Sequence, residues 1–446
     1  MIPPSVTVTD PPPPSPDSPA RALAPDLARG VMLLLIAIAN SAWYLWGHPG
    51  GFTSAHPTDG SQLDRVARAI IAITVDGRVY PMFALLFAYG MVQFARSRAA
   101  RGIHPRDIKR MLKRRHLAML LFGFLHAALL FGGDILGAYA VLGLIFVPML
   151  FEARVKTLRL VLWILLGYAA AGAVSSIGAM LWLDSMGIDA AGGPEFGSGP
   201  VIPGLADLMS GFDNYLIAIA VRVGMWLIAT PGVLLAGTLP ACLLFGWLLA
   251  RYQVLEHPER YRRQLTTLAV GGIAVGWLTG LPVGLAHLDI HVMSPNLEIG
   301  YANVSYLGGL FAGAGYAALF ALIAGRMRRP GVVSRSVAAV GKRSLSSYLW
   351  QSLIFAPLLA AWGFGLGARI NTLGVVGVAA GIWLASVIIS AVLEARGARG
   401  PAEVLLRKMT YLPPEKLTPV PPPGPPMPPA PHRPTALPQH QGRSES

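Results

Sequence analysis

The chain has 446 residues, of which 54% are hydrophobic and only 13% charged, and its mean hydropathy is +0.53. A soluble globular protein carries roughly a quarter charged residues, so the missing charge excludes an ordinary soluble domain and marks a membrane protein. The single cysteine, Cys242, excludes an internal disulfide and a thiolate metal cluster; within an apolar run it reads as packing.

Residues 1–20 hold eight prolines and no apolar period, so they form a solvated, disordered tail. No basic stretch with a cleavage site frames the first apolar run, so no signal peptide is read there. Apolar segments of about 20 residues, enough for ~30 Å of hydrocarbon, follow at 27–46, 77–95, 116–131, 134–151, 158–183, 215–250, 264–286, 301–325, 344–362 and 372–393. The segment 215–250 is awkward, too long for one helix and short for two with a loop. A tilted or interfacial piece through Arg222, a break near Thr230-Pro231 and then a true span is expected. Residues 411–446 form a second Pro-rich, disordered tail, with thirteen prolines in the last 34 positions. The expected architecture is all-α: a polytopic bundle of about ten transmembrane helices over 21–410.

A net charge of +14 invites a nucleic-acid partner, but its distribution excludes one. Segment 96–115 carries nine Lys or Arg and 326–343 carries six, while 184–213 and 287–300 carry none. Under the positive-inside rule this alternation predicts both termini cytoplasmic, in a cell inner (plasma) membrane whose anionic lipid attracts the basic face. No internal repeat, phosphate-cradling glycine loop or G-x-S-x-G elbow is present.

Polar residues inside the spans are the candidate functional ones, because burying them in hydrocarbon is costly. His126 lies about six residues below the Gly132-Gly133 turn, and Asp134 opens the next run. His126 reads as a hydrogen-bonded interior histidine or as a general base, and Asp134 as a helix cap or as the group orienting that base. Asp26 and Arg29, three apart, form a topology anchor or face a ligand. Asn40 acts as glue between helices or in a site. Ser344, Ser347, Tyr348 and Gln351 share one helix stripe, which lines a polar cavity or bonds to neighbouring helices. His287-x-Asp289-x-His291 is a weak metal pattern, and no metal is expected.

The string Asp26-Leu-Ala-Arg29-Gly30 closing with Asn40 resembles the first helix of the YeiB-like family, the domain-of-unknown-function family numbered 418. The resemblance continues through Phe83 to Gly90, through His126 to Asp134 with Ile135-Leu136 and Tyr139-Ala140, and through Gly341 to Ser352 and Trp362 to Gly367. That family looks like a distant relative of membrane acyltransferases that act on extracytoplasmic sugars, the lysosomal glucosaminide acetyltransferases among them. The resemblance implies transfer from a cytoplasmic donor, acyl-CoA, to an outward saccharide or lipid acceptor. His126 and Asp134 would be catalytic. Asn40, Tyr348, Gln351, Ser344, Asp26 and Arg29 would bind substrate. The chain departs from its distant relatives in two places. Asn40 stands where one branch has histidine, and Ala67 stands at the spacing where the other keeps one, with His56 further upstream. Either His126 has taken over or catalysis is lost. The alternatives are a permease for a small or lipidic solute and a non-catalytic scaffold whose Pro-rich tails recruit partners. The oligomeric state is not legible.

Overall fold

The computed structural model describes residues 19–49, 55–188, 190, 204–290, 293–327, 331–413 and 417–418. Among these the protein is a bundle of helices with no strand. Seven helical stretches are long and apolar enough to cross a membrane, among them Pro25–Tyr44, Gln62–Ala99, Val155–Ser185 and Thr372–Ala395; Leu136–Leu150 and Thr238–Arg251 are shorter apolar helices.

In chain order, α1 (Pro19–Ser41) runs into a 3-10 turn, Ala42–Tyr44, and is followed by α2 (Gln62–Thr74) and α3 (Val79–Ala99). The α2 helix was not expected. It is a short amphipathic helix started by a capping box in which Ser61 and Asp64 satisfy each other's backbone amides. Next come α4 (Pro105–Leu129) and α5 (Leu136–Leu150), the pair that carries His126 and Asp134. The basic segment 96–115 is therefore mostly helix, since α3 ends at Ala99 and α4 starts at Pro105, with His104 as N-cap and proline in the first turn. Arginine and lysine are good helix formers, and a span flanked by them simply extends beyond the apolar run.

The following helices are α6 (Val155–Ser185), α7 (Leu205–Ser210), α8 (Tyr215–Leu235) and α9 (Thr238–Arg251). The break in 215–250 falls at Gly237, whose φ of +78° suits glycine, and not at Thr230-Pro231. Pro231 is absorbed within α8. Then α10 (Arg262–His287), α11 (Pro295–Arg326), α12 (Val332–Lys342), α13 (Ser344–Leu359), α14 (Thr372–Ala395) and α15 (Pro401–Thr410) complete the chain.

Contacts between helix ends define two faces. At one, Arg251 donates to the carbonyls of Phe151 (2.7 Å) and Ala153 (2.9 Å). Arg114 reaches Met409 O at 3.0 Å, and Lys342 pairs with Glu394 at 2.6 Å. This end gathers the basic residues. At the other, Gly47 N–H donates to Asp207 (2.7 Å), Ser294 to Asp184 (2.6 Å) and Leu373 N–H to Asp64 (2.9 Å). α8 starts at this second end and α9 finishes at the basic one, so together they make one bent traverse. One large hydrophobic cluster joins α1, α3 and α11, where Met32, Val79, Met82, Tyr89 and Ala312 are fully enclosed.

The expected tail 1–20 gives its last two residues to α1, and 1–18 lie outside the described residues. Of the expected tail 411–446, only 411–413 and 417–418 are described, and Thr418 N–H donates to Asp107 at 2.6 Å.

Candidate functional site

The turn between α4 and α5 brings His126 and Asp134 together. His126 Nδ1 lies 2.8 Å from Asp134 Oδ1, and both side chains are fully enclosed. Asp134 Oδ2 accepts the Gly137 N–H at 2.7 Å in the first turn of α5. A carboxylate only accepts, so a neutral imidazole here carries its proton on Nδ1 and leaves Nε2 as an acceptor. Nε2 faces Ser352 Oγ at 2.7 Å. The order Asp134, His126, Ser352 is thus an unbroken hydrogen-bonded relay joining three helices' worth of chain.

Tyr348, one helical turn before Ser352, closes over this relay. Its ring lies 4.9 Å from that of His126, and its hydroxyl is 3.4 Å from Asp134 Oδ1. On the far side Tyr44 points its hydroxyl at Leu130 O, 3.4 Å away, and stacks between Phe131 and Phe355. Backbone contacts hold α4 in register: the buried Arg222 guanidinium of α8 donates twice to Ala128 O at 3.1 Å, capping the helix two residues beyond His126. Charged side chains at a helix C-terminus satisfy carbonyls that have no partner within the helix.

Tyr348 also lines a cavity of about 730 Å³ that opens at the basic end. Its mouth carries Arg29, Arg115, Lys342, Arg343 and Arg407 with Asp26, Glu394 and Glu403; its head is apolar and aromatic, with Ile36, Phe83, Phe87, Ile135 and Tyr139. Asp26 and Arg29 pair at 3.1 Å on its wall, and Ser344 lines it too. A second cavity of about 340 Å³ lies at the opposite end, and the two share no lining residue. In it His56 Nε2 meets Asp76 Oδ2 at 2.7 Å, beside Arg78, Tyr80 and His287.

The remaining expected residues separate by role. Asn40 accepts the Tyr80 hydroxyl at 2.6 Å, and Tyr139 donates to Tyr80 O at 2.9 Å, so these three build the partition between the cavities. Gln351 spends its amide on Leu33 O at 2.9 Å and braces α13 on α1. His287 faces the second cavity while Asp289 pairs with Arg65 at 3.6 Å, and His291 lies outside the described residues. Cys242 is buried in α9.

Two groups of functional interest escaped the sequence reading. Ser352 lies one turn beyond Tyr348 on α13, and that i+4 spacing on the polar stripe is the signal that puts it on the same face. His56 and Asp76 are twenty residues apart across α2, and nothing in spacing announces that they meet.

Residues 249–413 match the family model described as Protein of unknown function (DUF418). The chain is 25% identical over 410 residues to the uncharacterized protein YxaH of Bacillus subtilis (strain 168), covering 87% of this chain and 93% of that one. It is 27% identical over 430 residues to the uncharacterized protein YeiB of Escherichia coli (strain K12), covering 86% and 95%. No solved structure matches. The resemblance drawn from the sequence therefore stands: this is a homologue of YeiB and YxaH with a DUF418 region towards its C-terminus.

Proposed function

We propose, for this homologue of YeiB and YxaH, that it is a membrane acyltransferase. It takes an acyl group from a thioester donor such as acyl-CoA at the basic face and delivers it to a hydroxyl-bearing saccharide or lipid at the opposite face. The observation that supports this reading is the pair of separate cavities at opposite ends, with the enclosed Asp134–His126 pair set against Tyr348 in the wall of the first. Tyr348 belongs to the wall of one cavity; Ala42 and Trp43, next to Tyr44, belong to the wall of the other. In the proposal the chain makes ten traverses with both termini cytoplasmic, in the plasma membrane, its basic end against anionic lipid.

The roles follow from chemistry. Arg29, Arg115, Lys342 and Arg343 take the donor's phosphates, since guanidinium forks match phosphate oxygens. The apolar head of the cavity takes the acyl chain. His126 is the general base, held in its working tautomer by Asp134. Ser344 and Asp26 shape the mouth, and Asn40 stiffens the partition through Tyr80.

The test compares surface polysaccharides and lipids from cells with and without the gene, then supplies vesicles containing the protein with acyl-labelled acetyl-CoA. An acylated component should vanish from the deletion strain. His126→Gln, which hydrogen-bonds but cannot act as the base, should slow labelling by about 10²–10⁴-fold while the protein inserts and melts as before. The opposed cavities support a permease as the second reading. Uptake of a solute that emerges unmodified, with no acylated product, would replace the first reading by the second.

A further inference from the structure

The relay does not end on the histidine. His126 Nε2 is directed at Ser352 Oγ, which is buried (4% exposed) and 2.7 Å away. Its opposite nitrogen is fixed by Asp134. An alcohol becomes a useful nucleophile when an adjacent base takes its proton and a third group orients that base. All three members are present here, in that connectivity. The cavities add a second, independent consideration. They have no lining residue in common, and Tyr80, Asn40 and Tyr139 stand between them. Direct transfer would need donor and acceptor in one space, whereas a carrier between the cavities would not.

We propose that Ser352 is that carrier, holding the acyl group as a serine ester on its way from the basic cavity to the opposite one. The proposal rests on the acyl-transfer reading above and deepens it. In the first half, Ser352 Oγ gives its proton to His126 Nε2 and bonds to the thioester carbonyl carbon. The C–S bond breaks and His126 returns the proton to the departing thiolate, which leaves as a thiol. In the second half, the acceptor's hydroxyl gives its proton to His126 and its oxygen attacks the ester carbonyl. The C–O bond to Ser352 breaks and Ser352 recovers the proton. No redox change occurs in either half. Tyr348, four residues before Ser352 on α13, lines the basic cavity and packs against the His126 ring, so it is the wall residue between that cavity and the relay.

The experiment uses the full-length protein in detergent with an alkyl fluorophosphonate, which phosphonylates activated serines, followed by peptide mass spectrometry. One adduct is expected, at Ser352. It should be absent from Ser352→Ala and form at least 10²-fold more slowly in His126→Gln. Brief exposure of wild-type protein to acyl-labelled acetyl-CoA should leave label on the same peptide, released by mild base. Wild-type protein that melts normally but yields no Ser352 adduct overturns the proposal. So does Ser352→Ala that still acylates acceptor at the wild-type rate, an outcome that leaves the acyl-transfer reading intact. A Ser352 adduct in protein that consumes no thioester has the reverse meaning: the nucleophile stands and the thioester donor falls. If Ser352→Ala does not accumulate, the site of the adduct on wild-type protein decides.

Discussion

Each carboxylate oxygen of Asp134 has its own partner. Oδ1 meets His126 and Oδ2 takes the Gly137 amide, so capping a helix and orienting an imidazole, which the sequence left as alternatives, coexist in one residue. An amide cannot do both. In Asp134→Asn the oxygen can cap α5, but the NH₂ then faces His126 Nδ1 and forces the proton onto Nε2, removing the base from Ser352. Stability should fall by less than about 1 kcal/mol, because asparagine caps nearly as well as aspartate. Acyl transfer should fall by about 10⁴-fold, the size seen when a triad aspartate is changed in the same way. A thermal melt and a labelling rate on one preparation separate the two effects. Gly123 is the complementary case. A Cβ there would sit 2.5 Å from Gly137 N and 2.7 Å from Asp134 Oδ2. Gly123→Ala should therefore force α4 from α5, cost about 1–3 kcal/mol and lose activity together with stability.

At the scale of elements, α8 shows how a membrane arginine is accommodated. An arginine facing lipid is costly, but Arg222 is fully buried and donates to Ala128 O and Leu129 O at the end of α4. Arg222→Leu leaves those carbonyls without their partner and should destabilise the protein by about 1–3 kcal/mol, read as a lower melting temperature in detergent. The basic segment leading into α4 carries a contact of a different kind. Asp107 is held below the usual carboxylate range, first by the Thr418 amide and further by Arg110. A depressed folded pKa means that the contribution is complete above the unfolded value of about 3.9 and is lost as pH falls on through the lower folded value. Thr418 should thus be protected from amide exchange at pH 7. Asp107→Ala should abolish the protection, as should acid once intrinsic rates are allowed for.

Over the whole molecule, charge and helix ends agree. The Lys- and Arg-rich segments, distant in sequence, meet at one end through Arg251, Arg114 and Lys342, while His56, Asp207 and Asp184 gather at the other. The orientation proposed above, from the positive-inside rule, puts the basic end in the cytoplasm. Single cysteines at Arg101 and at Thr58 should label from opposite sides with a membrane-impermeant maleimide, and buried Cys242 should stay silent. Labelling of both from one side would refute this orientation.

Composition and apolar run length were enough to determine the class and most helix positions, because hydrocarbon demands about 20 apolar residues per span and satisfied backbone groups throughout. α5, α6, α10 and α14 lie within three residues of the runs read at 134–151, 158–183, 264–286 and 372–393. The pairing of His126 with Asp134 was legible for the same local reason, since eight residues and a Gly-Gly turn bring antiparallel helices back on themselves. Only the tertiary structure decided what lies beyond that hairpin. Ser352 reaches His126 from 226 residues away, Arg222 caps α4 from 94, and His56 finds Asp76 across a helix that charge and hydropathy did not announce. These contacts depend on which faces of the helices turn toward one another. Periodicity restricts that choice but does not select among partners; packing of the assembled bundle does.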